Sequence, residues 1–385
     1  YPGDFDLVNV KLEGASALGA LEAGAVQCIT SLPPVSKLLQ NKGYPSLYQL
    51  ERVPRFQDLS FFGVAVLDSW ASENPIATRA WLQGYMKSIA WLYDPANKDE
   101  ALAILGKNAD IDVDVAEAAY VWVERGGYPR DGLIASDIIP RIIETQRGSA
   151  GSRGLPEDFP EDVPGLVDNS YVQQAWDELD DSIKDGVGPY GMLPEGQVPA
   201  APGVTYALPL PEPEVDSVVY SGVTPNAGNW PMQIGVEKGF FEDFGLPTEM
   251  IFSASSPAAL AALVGGSVQF TSVVYGSAIL ANDVDKDVIM VADGYRGFPF
   301  DLIVGKDIET FEDLRGATCG ANNPPGIGDA LYIESMIEEG SEGALQYPGD
   351  FDLVNVKLEG ASALGALEAG AVQCITSLPP VSKLL

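Results

Sequence analysis

From Val215 onward, the hydrophobic and polar positions fall into strand and helix periods in turn. The run VDSVVYSG alternates and is rich in β-branched residues, which predicts a strand ending at Gly222. Trp230 to Phe244 (WPMQIGVEKGFFEDF) carries apolar residues at helical spacing and meets Gly245 as its stop. A short strand over Glu249 to Ser253 precedes Ser255-Ser256-Pro257, where Ser256 is placed to cap a helix and Pro257 to start it. Further along, Phe61 to Leu67 (FFGVAVL) reads as a buried strand. Asn74 to Tyr93, Glu100 to Leu105, Ala116 to Val123 and Tyr171 to Leu179 read as helices. Strands alternating with helices predict an α/β fold with mostly parallel sheets flanked by helices.

An internal echo suggests that this unit is used twice. Ala258 to Gln269 (AALAALVGGSVQ) matches Ser16 to Gln27 (SALGALEAGAVQ): an Ala/Leu helix, a glycine stop at Gly266 and Gly24, then Val-Gln opening a strand. Two similar α/β lobes account for it; the competing reading is that Ala/Leu helices followed by glycine are common. A chain that returns to helices after its second lobe crosses between lobes at least twice, and hinges lie at such crossings.

A second repeat is of another kind. Residues 347–385 repeat residues 1–39 letter for letter. Two copies under different packing demands would have diverged, so the chain reads as a slice longer than one period of a tandem or circularly closed unit. The seam is residues 181–214, which carry seven prolines and no apolar period, the composition of an extended linker. In natural order, 215–300 begins the first lobe and 301–385 the second. Residues 1–60 continue the second lobe and 61–180 return to the first with C-terminal helices. Both copies encode the same strand, helix and strand, so one is expected to occupy the second lobe while the other dangles or docks into a neighbour as a domain swap.

Charge and composition narrow the chemistry. The 55 acidic residues against 22 basic ones give a net charge of −33, a field that repels nucleic acid and anionic lipid. The chain has no histidine, which removes Ser-His-Asp and Cys-His catalysis and histidine-held zinc or haem. Cys28 and Cys319 are unique and Cys374 copies Cys28; a buried free thiol and a single disulfide both fit. No apolar run long enough to span a bilayer and no signal-peptide pattern is present in the segment. The acidic run Glu157 to Asp162 (EDFPED) lacks calcium-loop spacing and reads as a solvated loop.

Four stretches resemble one family. TPNAGNWPMQIGVEKGFFEDFGLPTEMIFSASSPAALAALVGGSVQF is similar to the opening of the substrate-binding proteins of nitrate, aliphatic-sulfonate and taurine ABC transporters. IETFEDLRGATCGANNPPGIGDALY, LGALEAGAVQCITSLPPVSKLLQNKG and WASENPIATRAWLQGYMKSIAWL resemble its later signatures, in the correct circular order. Gln269 and Gln27 depart from it, standing where Asp is usual. The resemblance implies a two-lobed periplasmic-binding-protein-like fold of type II. It also implies a small, anionic or polar ligand captured between the lobes, an ABC permease as partner, and a periplasmic or cell-surface location. No catalytic residue, metal or cofactor is implied. The alternative is an enzyme on the same fold, such as a menaquinone-pathway dehydratase; a thiamine-pyrimidine synthase uses an active-site histidine and is argued against by its absence.

Ligand contacts are expected in loops at the carboxyl ends of strands and at helix N-termini. Asn226 and Asn229 offer amides, and Trp230 either stacks on ligand or sits in the core. Ser255 and Ser256, and Tyr275, Gly276 and Ser277, lie at strand-to-helix turns, where Ser256 also reads as a plain cap. The glycine-rich loop holding Asn323, Gly326, Ile327 and Gly328 lacks the end of a phosphate-transfer motif. Ser31 and Leu32 complete the set from the second lobe. Arg296, beside Tyr295 in a chain short of cations, is the leading anion contact, with a surface salt bridge as its alternative. Repulsion by the net charge slows anion capture, and a salty habitat would reconcile the two.

Overall fold

The computed structural model describes residues 28–31, 35–57, 59–147, 155, 158–179, 211–223, 226–253, 256–284, 287–298, 300–304, 308–321, 329–347 and 349–355. In chain order these hold β1 (Cys28–Ser31), α1 (Val35–Asn41), β2 (Ser46–Gln49), β3 (Ser60–Leu67), α2 (Asp68–Glu73) and α3 (Pro75–Leu92). Next come α4 (Lys98–Ala109), α5 (Val113–Ala116), α6 (Tyr120–Glu124), α7 (Ile138–Gln146) and α8 (Ser170–Glu178). After the proline-rich stretch follow β4 (Val218–Val223), α9 (Trp230–Lys238), β5 (Thr248–Ser253), α10 (Ser256–Val264), β6 (Phe270–Val274), α11 (Tyr275–Val284) and β7 (Val288–Arg296). The last elements are β8 (Asp301–Val304), β9 (Thr318–Ala321), α12 (Asp329–Gly340) and β10 (Asp352–Asn355).

Five strands form one sheet in the order β5-β4-β6-β3-β7. β4 runs parallel to β5 and β6, whereas β3 is antiparallel to both β6 and β7. The mostly parallel sheet expected from sequence is therefore mixed. The cause is where the chain re-enters: it leaves at Arg296 and returns at Ser60, and these two residues face each other across β7 and β3. A strand that starts where its neighbour ends must run the other way. A second sheet, β1-β8-β2, is antiparallel throughout, and β10 pairs parallel to β9.

That second region corrects a further expectation. It takes β1 from the first copy of the repeated segment and β10 from the second. β1 runs on toward α1, and β10 follows α12. Cys319, in β9, is disulfide-bonded, so the bridge and not the free thiol holds for it; Cys28 and Cys374 are the chain's other cysteines.

Two connections link the sheets, residues 297–300 out of β7 and residues 50–59 into β3. They are laced by the Gly297 N–H donating to the Leu59 carbonyl at 2.9 Å. Phe298 packs against Phe56 and Phe61 at ring distances of 5.1 and 5.0 Å, and Tyr332 of α12 stands 4.8 Å from Phe300.

α3 is buried on nearly every face, as a helix covered on all sides must be apolar all round. Its first turn is capped by the Glu214 carboxylate, which accepts from the Ile76 and Ala77 N–H groups at 3.0 and 2.8 Å. Trp81 lies flat on Phe270 of β6, with centroids 4.3 Å apart and planes 6° from parallel, and packs against Tyr85, Tyr220 and Phe241. The helix expected over 230–244 ends early, because Gly239 adopts φ of 69°. A separate 3-10 turn, Glu242–Phe244, follows and closes at Gly245.

β5 is one edge of the five-stranded sheet among the described residues, and Ile251 and Phe252 on it are exposed. Trp81→Ala is expected to cost about 3–5 kcal/mol in urea unfolding. A loss below about 1 kcal/mol would show that α3 is held by its other contacts.

Candidate functional site

β4, β5 and β6 end side by side at Val223, Ser253 and Val274, and each leads into a helix: α9, α10 and α11 respectively. Three helix N-termini therefore meet along one edge of the sheet, each presenting N–H groups without intrahelical partners and the positive end of its dipole. The side chains beside them are hydroxyls. Ser253 and Ser221 share a hydrogen bond of 2.7 Å. The Ser256 Oγ accepts from the Val274 N–H at 3.4 Å, tying the start of α10 to the end of β6. Ser277, in the first turn of α11, is half-buried.

The asparagines serve the backbone of this edge. Asn226 is extended and its Oδ1 accepts from the Gly228 N–H at 2.8 Å, capping the turn into α9. The Asn229 Oδ1 accepts from the Tyr220 and Ser272 hydroxyls, both at 2.7 Å, while its Nδ2 donates to the Val223 carbonyl at 3.2 Å. Trp230 is fully buried and its indole N–H donates to the Ala101 carbonyl at 2.9 Å, so it takes the core position of its two readings. Gln269 serves the sheet: its Oε1 accepts from the Val219 N–H, and its own N–H donates to the Val219 carbonyl, both at 2.9 Å.

Behind the edge lies Asp293, fully buried in β7. Its Oδ2 accepts from the Ser60 hydroxyl at 2.9 Å and the Arg296 Nε at 2.8 Å. Its Oδ1 accepts from the Tyr275 hydroxyl at 3.0 Å and the Gly294 N–H at 3.1 Å. Arg296, 5% exposed, also donates to the Leu133 carbonyl at 3.2 Å. Its ion pair is buried, where the sequence left a surface salt bridge as the alternative. Burial alone would lower the Arg296 pKa, but the charge and hydrogen bond of Asp293 outweigh it and the net direction is up. Burial, and then the Asp293 charge, hold the Tyr275 phenol well above its ordinary value.

Tyr295 is buried against Trp122 and Tyr128, and its hydroxyl has no hydrogen-bond partner among the described residues. Tyr128 donates to the Ala227 carbonyl at 2.6 Å, linking this aromatic group to the start of α9. Asp131 stands nearby; burial, the largest influence, raises its carboxyl above the ordinary 3.8, opposed by the Leu133 N–H and Arg296.

The fold thus gathers Asn226, Asn229, Ser256, Tyr275, Gly276 and Ser277 along one sheet edge, with Tyr295 and Arg296 buried behind it. Ser31 ends β1 in the second sheet. Ser255, Leu32, Asn323, Gly326, Ile327 and Gly328 lie outside the described residues. Sequence reading missed Asp293 and Ser60. A lone carboxylate in the apolar run VIMVADGYR, three residues before an arginine, was the available signal. A separate cavity of 610 Å³ is lined by Arg55, Ser335 and Glu338, Glu339 and Glu342 among others, and none of the expected site residues that are described borders it.

Residues 226–377 match the family model described as NMT1/THI5 like. The matched segment belongs to the NMT1/THI5-like family. This is the family of nitrate-, sulfonate- and taurine-type ABC substrate-binding proteins, in agreement with the resemblance seen in the sequence. No curated protein and no solved structure matches the chain. The NMT1/THI5-like segment opens at Asn226 and takes in α9, α10 and α11. Among the described residues no helix is long and apolar enough to cross a membrane.

Asp293→Asn removes the carboxylate paired with the buried Arg296 guanidinium and is expected to cost about 3–5 kcal/mol in urea unfolding. Adding Arg296→Met should recover part of that loss; a double variant as unstable as the sum of its singles would contradict the pairing. A second expectation concerns pH. A folded pKa raised above the unfolded one means that Asp131 favours the folded state most below 3.8, and this contribution is lost as pH rises through the raised value. Asp131→Asn should therefore remove a loss of melting temperature that sets in as pH rises above 3.8, and an unchanged pH dependence would remove Asp131 from that account.

Proposed function

We propose that this chain is an extracytoplasmic solute-binding protein that captures a small anionic or polar organic solute, of the nitrate, sulfonate or taurine kind, and delivers it to an ABC permease. The observation that carries the reading is the NMT1/THI5-like match over residues 226–377, which spans the edge where three helices start. In this reading two lobes close on the solute. N–H groups at the starts of α9, α10 and α11 and the hydroxyls of Ser256 and Ser277 supply neutral donors, which suits an anion because such sites need no free cation. Asn226 and Tyr275 shape the edge from behind, and Arg296 acts through Asp293, its charge being already neutralised there. The Cys319 disulfide supports an oxidising compartment. Capture without turnover is the favoured mode, because the buried carboxylate behind the edge is occupied by four donors.

A thermal-shift screen in high salt tests this against nitrate, taurine, alkanesulfonates, bicarbonate and thiamine-pyrimidine precursors. One compound should stabilise the chain by about 2.7 kcal/mol at a hundred times its dissociation constant and be recovered unchanged by NMR. Recovery of a product would make the chain an enzyme, and no shift across the panel would count against an anion receptor.

A further inference from the structure

We propose that Arg125 holds the anionic group of the solute, a nitrate, sulfonate or carboxylate, and that the chain's own Glu51 carboxylate fills that place until the solute displaces it. The inference rests on the solute-binding reading above and adds one cation to its neutral donors. Arg125 follows α6, and its Nη1 donates to the Glu51 Oε2 at 2.6 Å. Glu51 stands in a 3-10 turn, Leu50–Arg52, at the start of the connection into β3. The Arg125 and Glu51 side chains are 18% and 21% exposed, so the pair is open to a solute arriving from water.

Two buried donors stand beside this pair with nothing to donate to. The Arg125 guanidinium lies 5.6 Å from the centre of the Trp122 ring, and the Trp122 and Tyr295 ring centres are 5.6 Å apart. Trp122 is 3% exposed and Tyr295 1%. Neither the Trp122 indole N–H nor the Tyr295 hydroxyl has a hydrogen-bond partner among the described residues. An unpartnered buried donor is costly, and an oxyanion brings several acceptor atoms at once. Burial chiefly holds the Tyr295 phenol well above its ordinary value; the Glu51 carboxylate adds to this and the Arg125 guanidinium opposes it, so both charges act on that hydroxyl. Tyr128 packs 5.2 Å from Tyr295 and donates to the Ala227 carbonyl, which joins this group to the start of α9.

Glu51 has the charge and the oxygen chemistry of the guest. A guanidinium takes carboxylate, nitrate and sulfonate oxygens through the same planar N–H fork. An internal acid on that fork weakens binding in proportion to the time it spends there. A latch closed about nine-tenths of the time lowers apparent affinity about tenfold. Its release also frees the 50–59 connection from the end of α6.

Titrations of the full chain at fixed ionic strength, with nitrate, taurine and ethanesulfonate as probes, test the displacement. Glu51→Gln should bind the responding anion about tenfold more tightly than the unaltered chain. Glu124→Gln, which removes the same charge from the exposed residue next to Arg125, should stay within about twofold. Tyr295→Phe should weaken binding about tenfold yet leave the urea midpoint unchanged or raised, because the hydroxyl it removes has no partner to lose. If Glu51→Gln binds no more tightly, if Glu124→Gln tightens binding as much, or if Tyr295→Phe binds like the unaltered chain, the displacement is overturned while the solute-binding reading stands. Binding of no probe by either the unaltered chain or Glu51→Gln overturns both.

Discussion

A buried carboxylate with every lone pair in use organises this molecule. Asp293 draws a hydroxyl from the first residue of β3, another from the first residue of α11, a guanidinium from the last residue of β7 and a backbone N–H from its neighbour. Removing a carboxylate and a guanidinium from water costs several kcal/mol each, so the arrangement holds only when all the donors arrive together. The backbone around it is pinned as well. The Asp293 N–H donates to the Gly132 carbonyl at 2.7 Å and the Arg296 N–H to the Gly127 carbonyl at 2.8 Å, fastening the 127–133 loop to the same strand. The start of α11, the exit from the sheet and the return into it are fixed by one group.

Much of the fold was legible in the chain because local chemistry decided it. β4, β5 and α10 follow from alternation, from β-branched residues and from Pro257, and α3 and α8 from apolar period alone. Gly239 was underrated: its left-handed φ splits one expected helix into two pieces. The direction of β3 was not legible, because it depends on where a chain returning from another sheet re-enters. The partner of Arg296 was readable only in part. Asp293 stands three residues away, but its other donors, Ser60 and Tyr275, meet it only once β3 and β7 pair and α11 folds back over them.

For the candidate site this means that the obvious cation is already spent. An anion approaching the ends of β4, β5 and β6 meets backbone dipoles and hydroxyls, and the acidic surround acts against it at long range until salt screens it. Short-range donors and long-range repulsion have different reach, so the same chain can be slow to meet an anion and still hold it.

The exposed edge at β5 gives that surplus of charge a second meaning. A strand with one side unpaired among the described residues, showing Ile251 and Phe252 to solvent, is a template for another strand to add to. In dilute buffer a net charge of −33 keeps copies apart before their edges meet. In about 1 M salt the field reaches only about 3 Å, and that guard is gone at the distances where strands begin to pair. The colloidal behaviour of the chain is thus set by its counterions: brine that screens the acidic surface also brings the β5 edges of neighbouring molecules within reach of one another.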